Sequence, residues 1–262
     1  MRLLSQADVP LLRRTLLQDP YYNLFMTGNL ESMGIDHELL FYWGQLAGQK
    51  LVGIAMRYKR NWCFYDAGGA NLSLFAQKVD GYPEDCTLNG RAALVAAIVE
   101  RLRHCAVASD HHSYYCALPG DAALPPPPHA TRRATERDVP ALARLYAGAG
   151  EMSRDQDAIR FCLAHNRIFV TEMGGQIVSA ALTNAETTTM AMVGGVFTPA
   201  HWRNRGYASA AMTALCASLL EDGIQPCLFY DNPAAGTIYR RLGFKDIGAW
   251  RMARLRRTKA RG

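Results

Sequence analysis

Two ten-residue stretches of this chain are near-copies of one another. "ADVPLLRRTL" at 7–16 and "RDVPALARLY" at 137–146 share Asp-Val-Pro, then a Leu and an Arg at the same spacing, at an offset of 130. In each, Asp can cap a helix and Pro can occupy its first turn. Further on, "GQKLVGIA" at 48–55 is matched by "GGQIVSAA" at 174–181. Each follows an apolar run, "LLFYW" or "RIFVTEM", so each reads as a hairpin. Two matches in the same order at similar offsets point to an internal duplication. The 262 residues then divide into two similar domains of about 130 residues each.

The stretch "ALPPPPHATRRATERDVP" sits where such a division should fall. Pro125–Pro128 cannot join a helix or a central strand and favour a stiff polyproline II spacer. The charge changes at the same place. Residues 1–128 hold 11 Lys/Arg and 12 Asp/Glu, whereas residues 129–262 hold 18 and 11. The expected organisation is a first domain over 1–123, a linker over 124–130 and a second domain over 131–262. An anionic ligand belongs with the basic second half.

Within that half, helices are expected over about 138–148 and 155–165. Strands follow at 168–173 and 176–184, joined through Gly174–Gly175. A strand at 189–198 ends at Pro199, and a helix over about 206–221 carries Met212, Leu215, Cys216 and Leu219 on one apolar face. A short strand "CLFY", a helix "PAAGTIYRRL" and a last strand over about 245–255 complete it. The pattern defines an α/β (α+β) fold, a mixed sheet flanked by helices.

The segment "HWRNRGYASAAM" at 201–212 lies between a strand and a helix. The first turn of a helix has unpaired N–H groups and a partial positive charge. Gly206 lets an anion approach the backbone, and Arg203 and Arg205 add full charges. This is an anion seat suited to phosphate or pyrophosphate. A P-loop and a dinucleotide fingerprint are both excluded, because neither glycine pattern is present.

"GGVFTPAHWRNRGYASAAM" resembles the coenzyme A loop of the GNAT-type N-acetyltransferase superfamily, written (Gln/Arg)-x-x-Gly-x-(Gly/Ala). "FYDNPAAGTIYRRLGF" at 229–244 is similar to the family's strand–Asn–helix segment, with Asn232 and Tyr239 seven residues apart. The resemblance covers residues 131–255 and extends to 1–123 in element order alone. It implies two tandem GNAT-like domains, each with a mixed, mostly antiparallel sheet, and acetyl-CoA as cosubstrate. The backbone amides of Asn204, Arg205, Gly206, Tyr207, Ala208 and Ser209 would cradle the pyrophosphate. Val196, Phe197 and Thr198 would form a splayed strand end, where the pantetheine arm pairs like an added strand and a backbone N–H polarises the thioester carbonyl. Asn232 would bond the arm from the other side. Tyr239 would be the general acid toward the leaving thiolate. Tyr ordinarily titrates near ~10 and a thiol near ~8.5, so full proton transfer is uphill by about 2 kcal/mol, and hydrogen bonding carries part of the role. A Tyr packed in the core through its ring is the competing reading.

The family's usual base, a Glu on either of two central strands, has no counterpart in "TTTMAMVGGVFT" or "CLFYD". Glu186 and Glu151 are the nearest carboxylates, and each also reads as a solvated surface group. An α-amine, titrating near ~8, needs less help than a Lys at ~10.4, which favours a low-pKa amine or a water relay. The first half lacks the Arg-x-x-Gly-x-Ala loop, with Gly90–Arg91 a remnant at best, and is expected to be a degenerate copy that binds no coenzyme.

The seven cysteines are scattered without C-x-x-C spacing, which argues for buried hydrophobes and against a disulfide framework or a metal site. His111 and His112, adjacent on a strand, would face opposite ways. "WRMARLRRTKARG" carries six basic residues, Arg251, Arg254, Arg256, Arg257, Lys259 and Arg261, and reads as a solvated tail. It lacks the interleaved aromatics that single-stranded nucleic acid would stack on. No apolar run reaches the ~20 residues of a membrane span, and the N-terminus lacks a signal-peptide core, so a cytoplasmic protein is expected. The reading is an N-acetyltransferase acting on a primary amine of a small molecule or protein. The alternatives are a non-catalytic coenzyme A-binding regulator and an aminoacyl-tRNA-dependent acyltransferase.

Overall fold

A computed structural model describes residues 1–258, apart from the side chain of Glu151. The chain forms two compact units, Met1–Tyr114 with Gly248–Gly262, and Tyr115–Ile247. In chain order the elements up to the four prolines are β1 (Arg2–Leu3), α1 (Val9–Leu16), α2 (Leu24–Met33), β2 (Leu40–Ala47), β3 (Lys50–Tyr58), β4 (Asn61–Asp66), α3 (Leu72–Asp80), β5 (Cys86–Arg91), α4 (Ala92–Val99) and β6 (Cys105–Ala117). After it come β7 (Thr131–Arg133), α5 (Val139–Ala147), α6 (Gln156–His165), β8 (Ile168–Met173), β9 (Gln176–Glu186), β10 (Met190–Phe197), α7 (Tyr207–Glu221), β11 (Gln225–Tyr230), α8 (Pro233–Arg241) and β12 (Lys245–Arg257). The two series repeat one order of strands and helices, element for element.

The near-copied sequences do the same job in both series. Asp8 and Asp138 each close a short 3-10 turn as a capping box with Ser5 or Thr135, and Pro follows in the first turn of α1 or α5. An arginine six residues earlier pairs with each carboxylate, Arg2 with Asp8 at 2.6 Å and Arg132 with Asp138 at 2.7 Å. The aspartates therefore close the turn before the helix, where the sequence suggested a simple cap.

In the first unit the strand order is β1-β2-β3-β4-β5-β12-β6. The last strand of the chain thus lies against β5, antiparallel, from Trp250↔Arg91 to Leu255↔Cys86. Trp62, Phe64, Phe75, Leu88, Val95 and Ile98 pack with Ala253 and Leu255 of β12 in one core. The basic "tail" is therefore largely this strand. Arg251 pairs with Asp110 at 2.7 Å, and Arg257 donates to the Asp80 carbonyl at 2.6 Å. Alternation explains the composition, because Ala253 and Leu255 face the core while Arg254 and Arg256 face outward. Lys259 and Arg261 lie outside the described residues.

In the second unit the order is β6-β11-β10-β9-β8-β7. Helices α5 and α6 cover one face of this sheet, packing on Val170, Ala180, Leu182 and Phe197. Helices α7 and α8 cover the other, packing on Ala181, Ala191, Val193 and Leu228. The period-two switch of faces along β9 and β10 is what allows two helical layers. Met212, Leu215, Cys216 and Leu219 of α7 are all buried in this second core, as their spacing requires.

The shared element order also relocates the first half's loop. Helix α3 follows β4 as α7 follows β10, so the counterpart of the anion seat is Ala67–Asn71, not Gly90–Arg91, which opens α4. No arginine stands there. The Asp66 carboxylate accepts from the amides of Gly68 at 2.9 Å and Ala70 at 3.0 Å, and Asn71 caps α3.

Candidate functional site

The site forms at the C-terminal ends of β10 and β11. These parallel strands pair from Met190↔Gln225 to Val193↔Leu228, and among the described residues the ladder stops there. Both strands run on, to Phe197 and Tyr230. Past Val193, β10 keeps its partner β9 only through a register shift between Gly194 and Phe197. Gly195 takes φ +55 there, and its carbonyl accepts from the buried Tyr146 hydroxyl on α5. A bulge with a left-handed residue bends a strand and ends its pairing. Val196 reaches the core of the α7/α8 face, Phe197 the opposite core. Thr198 is fixed by its hydroxyl on Ser179 at 2.8 Å and by its carbonyl, which accepts from Arg203 Nε at 2.9 Å.

Chain direction then reverses through a 3-10 turn, Ala200–Trp202, into α7. Asn204 (φ +60) and Gly206 (φ +83, the N-cap of α7) are both left-handed, and no side chain caps the helix. Left-handed residues alternating with ordinary ones turn successive amides to one side, as in an anion nest. Ala210 N–H is the first to bond back, to Gly206 O at 3.0 Å. The amides of Tyr207, Ala208 and Ser209 thus precede the helix's own ladder. Thr171 anchors the turn by donating to the Tyr207 carbonyl at 3.0 Å.

Arg203, expected as a charge for the anion, is also the brace of the strand end. Arg205 stacks its guanidinium 5.3 Å from the Trp202 ring centre. His129, directly after the four prolines, was missed in the sequence. Its Nε2 donates to the Arg205 carbonyl at 2.6 Å, and its ring sits 4.5 Å from that of Tyr207. A Cβ on Gly206 would stand 3.3 Å from His129 Nε2. Beside this loop a cleft of about 700 Å³ is lined by Phe197, Trp202, Arg203, Arg144 and the Gly175–Gln176 hairpin.

Across the opening, Asn232 is the N-cap of α8, its side-chain carbonyl accepting from Ala234 N–H at 2.9 Å. The two amide hydrogens of its side chain remain as donors. Seven residues on, Tyr239 is 8% exposed and packs between Tyr230 and Phe244 at 5.7 and 6.0 Å. Burial, with the nearby Cys116 and Cys216 thiols, pushes its phenol up to about 12. It is thus a neutral donor at any ordinary pH.

Glu186 does not join this group. It pairs across β9–β10 with Ala191, while the site end, Phe197, pairs with Ala180. At about 3.3 Å per residue the two ends stand roughly 20 Å apart along β10. Glu186 accepts from Thr183 Oγ1 at 2.6 Å and pairs with the buried Arg167 at 3.3 Å, which also holds Asp222 at 2.8 Å. Its role is to neutralise Arg167. The Glu151 side chain lies outside the described residues. The cysteines are free, most of them buried, and among the described residues no cluster of His, Cys, Asp or Glu has metal-binding geometry.

A strand pair that parts beside a left-handed loop and an uncapped helix defines the class, an α/β domain whose split sheet edge lies next to free first-turn amides. The family is narrower. Residues 130–247 match the acetyltransferase (GNAT) domain. The whole chain is similar in fold to a Drosophila protein (12% identity, TM-score 0.70, 97% of each chain). It is similar also to GCN5-related N-acetyltransferases from Sphaerobacter thermophilus (17%, 0.63, 97% of this chain and 94% of that one) and Kribbella flavida (17%, 0.62, 91% and 95%). No curated protein matches it.

Proposed function

We propose that the second half transfers an acetyl group from acetyl-CoA to a primary amine of a small molecule or peptide, by direct attack on the thioester. The observation that carries this is the left-handed Gly206 opening α7 beside a β10–β11 ladder that stops at Val193. The seat suits pyrophosphate, since first-turn amides, the helix dipole and Arg205 act on one side of bare backbone. The 700 Å³ cleft beside it suits the nucleotide end of the coenzyme.

In this reading the Val196–Thr198 edge offers backbone groups to the pantetheine arm, and Asn232 donates from the facing helix. A backbone N–H of that edge polarises the carbonyl under attack. The amine nitrogen forms the new C–N bond and loses a proton to water, the C–S bond breaks with its electron pair on sulfur, and Tyr239 donates a hydrogen bond to the departing thiolate. With its phenol at about 12, Tyr239 stabilises thiolate more by that bond than by giving up the proton. No carboxylate base is needed for an amine that is partly neutral near pH 7. The first unit acts as a degenerate copy. The turn that would hold pyrophosphate is already filled by the Asp66 carboxylate.

The test is a thermal melt with and without acetyl-CoA and desulfo-CoA, on wild type and Gly206→Asp. A ligand at 100 times its Kd adds about 2.7 kcal/mol of stability. A wild-type shift that Gly206→Asp abolishes supports the reading. Arg205→Glu, on an exposed side chain, serves as the second variant if Gly206→Asp folds poorly. No shift in wild type would overturn it.

A further inference from the structure

A second cleft, of about 460 Å³, lies in the first unit, among residues that the transfer reaction does not use. Trp43, Trp62 and Tyr82 line it, and the two tryptophans belong to a longer run of rings. Phe41, Trp43, Trp62 and Phe64 stack in sequence at 5.8, 5.3 and 6.1 Å, within 18° of parallel at every step. Tyr82 meets Trp62 edge-on at 5.9 Å. The order arises from the sheet, since Arg57 of β3 is paired with Phe41 of β2 and with Trp62 of β4, which brings these side chains to one face.

Two cations stand against these rings. The Arg57 guanidinium lies 4.5 Å from the Phe41 ring centre and 4.8 Å from that of Tyr82. The Lys78 ammonium, from α3, lies 5.3 Å from that of Trp43. Arg57 spends one donor on the Lys59 carbonyl at 2.7 Å. Neither cation has a carboxylate partner among the described residues, and no carboxylate lines the cleft. Asp80, two residues after Lys78, accepts from the amides of Arg103 and His104 at 2.9 Å, and Glu84 is taken by Arg60 at 2.6 Å. The indole N–H of Trp62, a residue 1% exposed, has no acceptor.

Arg57 and Lys78 are half-buried, and two like charges in one cleft repel. Cation–π contact offsets part of this, but leaves the outer donors of both groups unfilled. One planar anion would satisfy the whole set. We infer that this cleft is a binding site for a small aromatic carboxylate. Its ring lies along the Trp43–Trp62 stack and its carboxylate bridges Arg57 and Lys78. The volume falls in the range of small-molecule sites, about 300–1,000 Å³. The inference stands apart from the transfer reaction, since it uses only the unit that lacks the coenzyme loop.

The four tryptophans make the test direct. The four indole N–H resonances of the full-length protein, assigned by single Trp→Phe variants, are followed while sodium benzoate is added. Cyclohexanecarboxylate and benzyl alcohol are the controls. The expected result is a saturable shift of the Trp43 and Trp62 signals with benzoate, in the millimolar range for a ligand of this size. Trp202 and Trp250 should not move. Cyclohexanecarboxylate should bind several-fold more weakly, and benzyl alcohol hardly at all. Arg57→Gln with Lys78→Gln should weaken benzoate at least tenfold. Lys78→Gln alone, on a helix surface, gives the same direction if the double variant does not fold. No shift, an equal response to benzyl alcohol, or affinity unchanged without the cations would each overturn the site.

Discussion

At the residue scale, two side chains separate chemistry from architecture. Tyr239 fills a core position between two rings, so Tyr239→Phe keeps the packing and removes one hydroxyl. The melting temperature should stay within a degree or two of wild type, and coenzyme affinity should hold. The rate of transfer should fall by about 10²-fold. Because burial lifts the phenol to about 12, the wild-type rate should rise with pH as the amine deprotonates and show no downward limb before about pH 11. A limb near pH 9 would remove Tyr239 from the reaction. Asp138 is the architectural case. Its hydrogen bonds with Arg132, assisted by Thr135, hold its carboxyl down at about 2, below its usual value. A depressed carboxylate adds stability above its unfolded pKa of about 3.9 and loses it as pH falls toward 2. Melts of wild type and Asp138→Asn should therefore differ most above pH 5 and converge toward pH 2.

At the element scale, the start of α7 concentrates the site. Gly206 and Asn204 were legible as a loop before a helix because glycine, arginine and a preceding proline each have a local meaning. The last strand was legible too, but its partner was not, since a register is a long-range fact. Nothing local marked His129. It meets Arg205 across 76 positions of sequence, and only the fold makes them neighbours. That contact predicts that Pro125–His129 braces the loop before α7. His129→Ala should weaken CoA about five- to tenfold, the worth of one hydrogen bond. His129→Gln, which can still donate to the carbonyl, should restore most of it. Calorimetric titration of both variants checks this, and equal loss in the two would assign His129 to packing. Gly206→Ala should cost about 1–2 kcal/mol through its left-handed backbone, before any ligand is added.

At the scale of the whole molecule, one order of strands and helices recurs in both series, but the division of the chain does not follow that order. The element order assigns β12 to the second series, whereas its residues Gly248–Arg257 belong to the first unit. Sequence alone placed 245–255 as a strand and could not place it beside β5. Its basic outer face also disguised it as a tail. This has a consequence for truncation. A chain ending at Ile247 keeps every residue of the second unit and every residue named for acyl transfer. It removes from the first unit the partner of Cys86–Arg91 and two core residues, Ala253 and Leu255. An unpaired β5 edge is a template for association. The shortened protein should therefore unfold in two steps, the first unit melting well below the second, and should aggregate on warming. Acetyl-CoA should raise only the upper transition, with one coenzyme bound per chain. Calorimetric scans of the full-length and shortened chains, with and without acetyl-CoA, decide it. A ligand shift on the lower transition, or two coenzymes per chain, would mean that the first unit had kept a seat of its own despite Asp66.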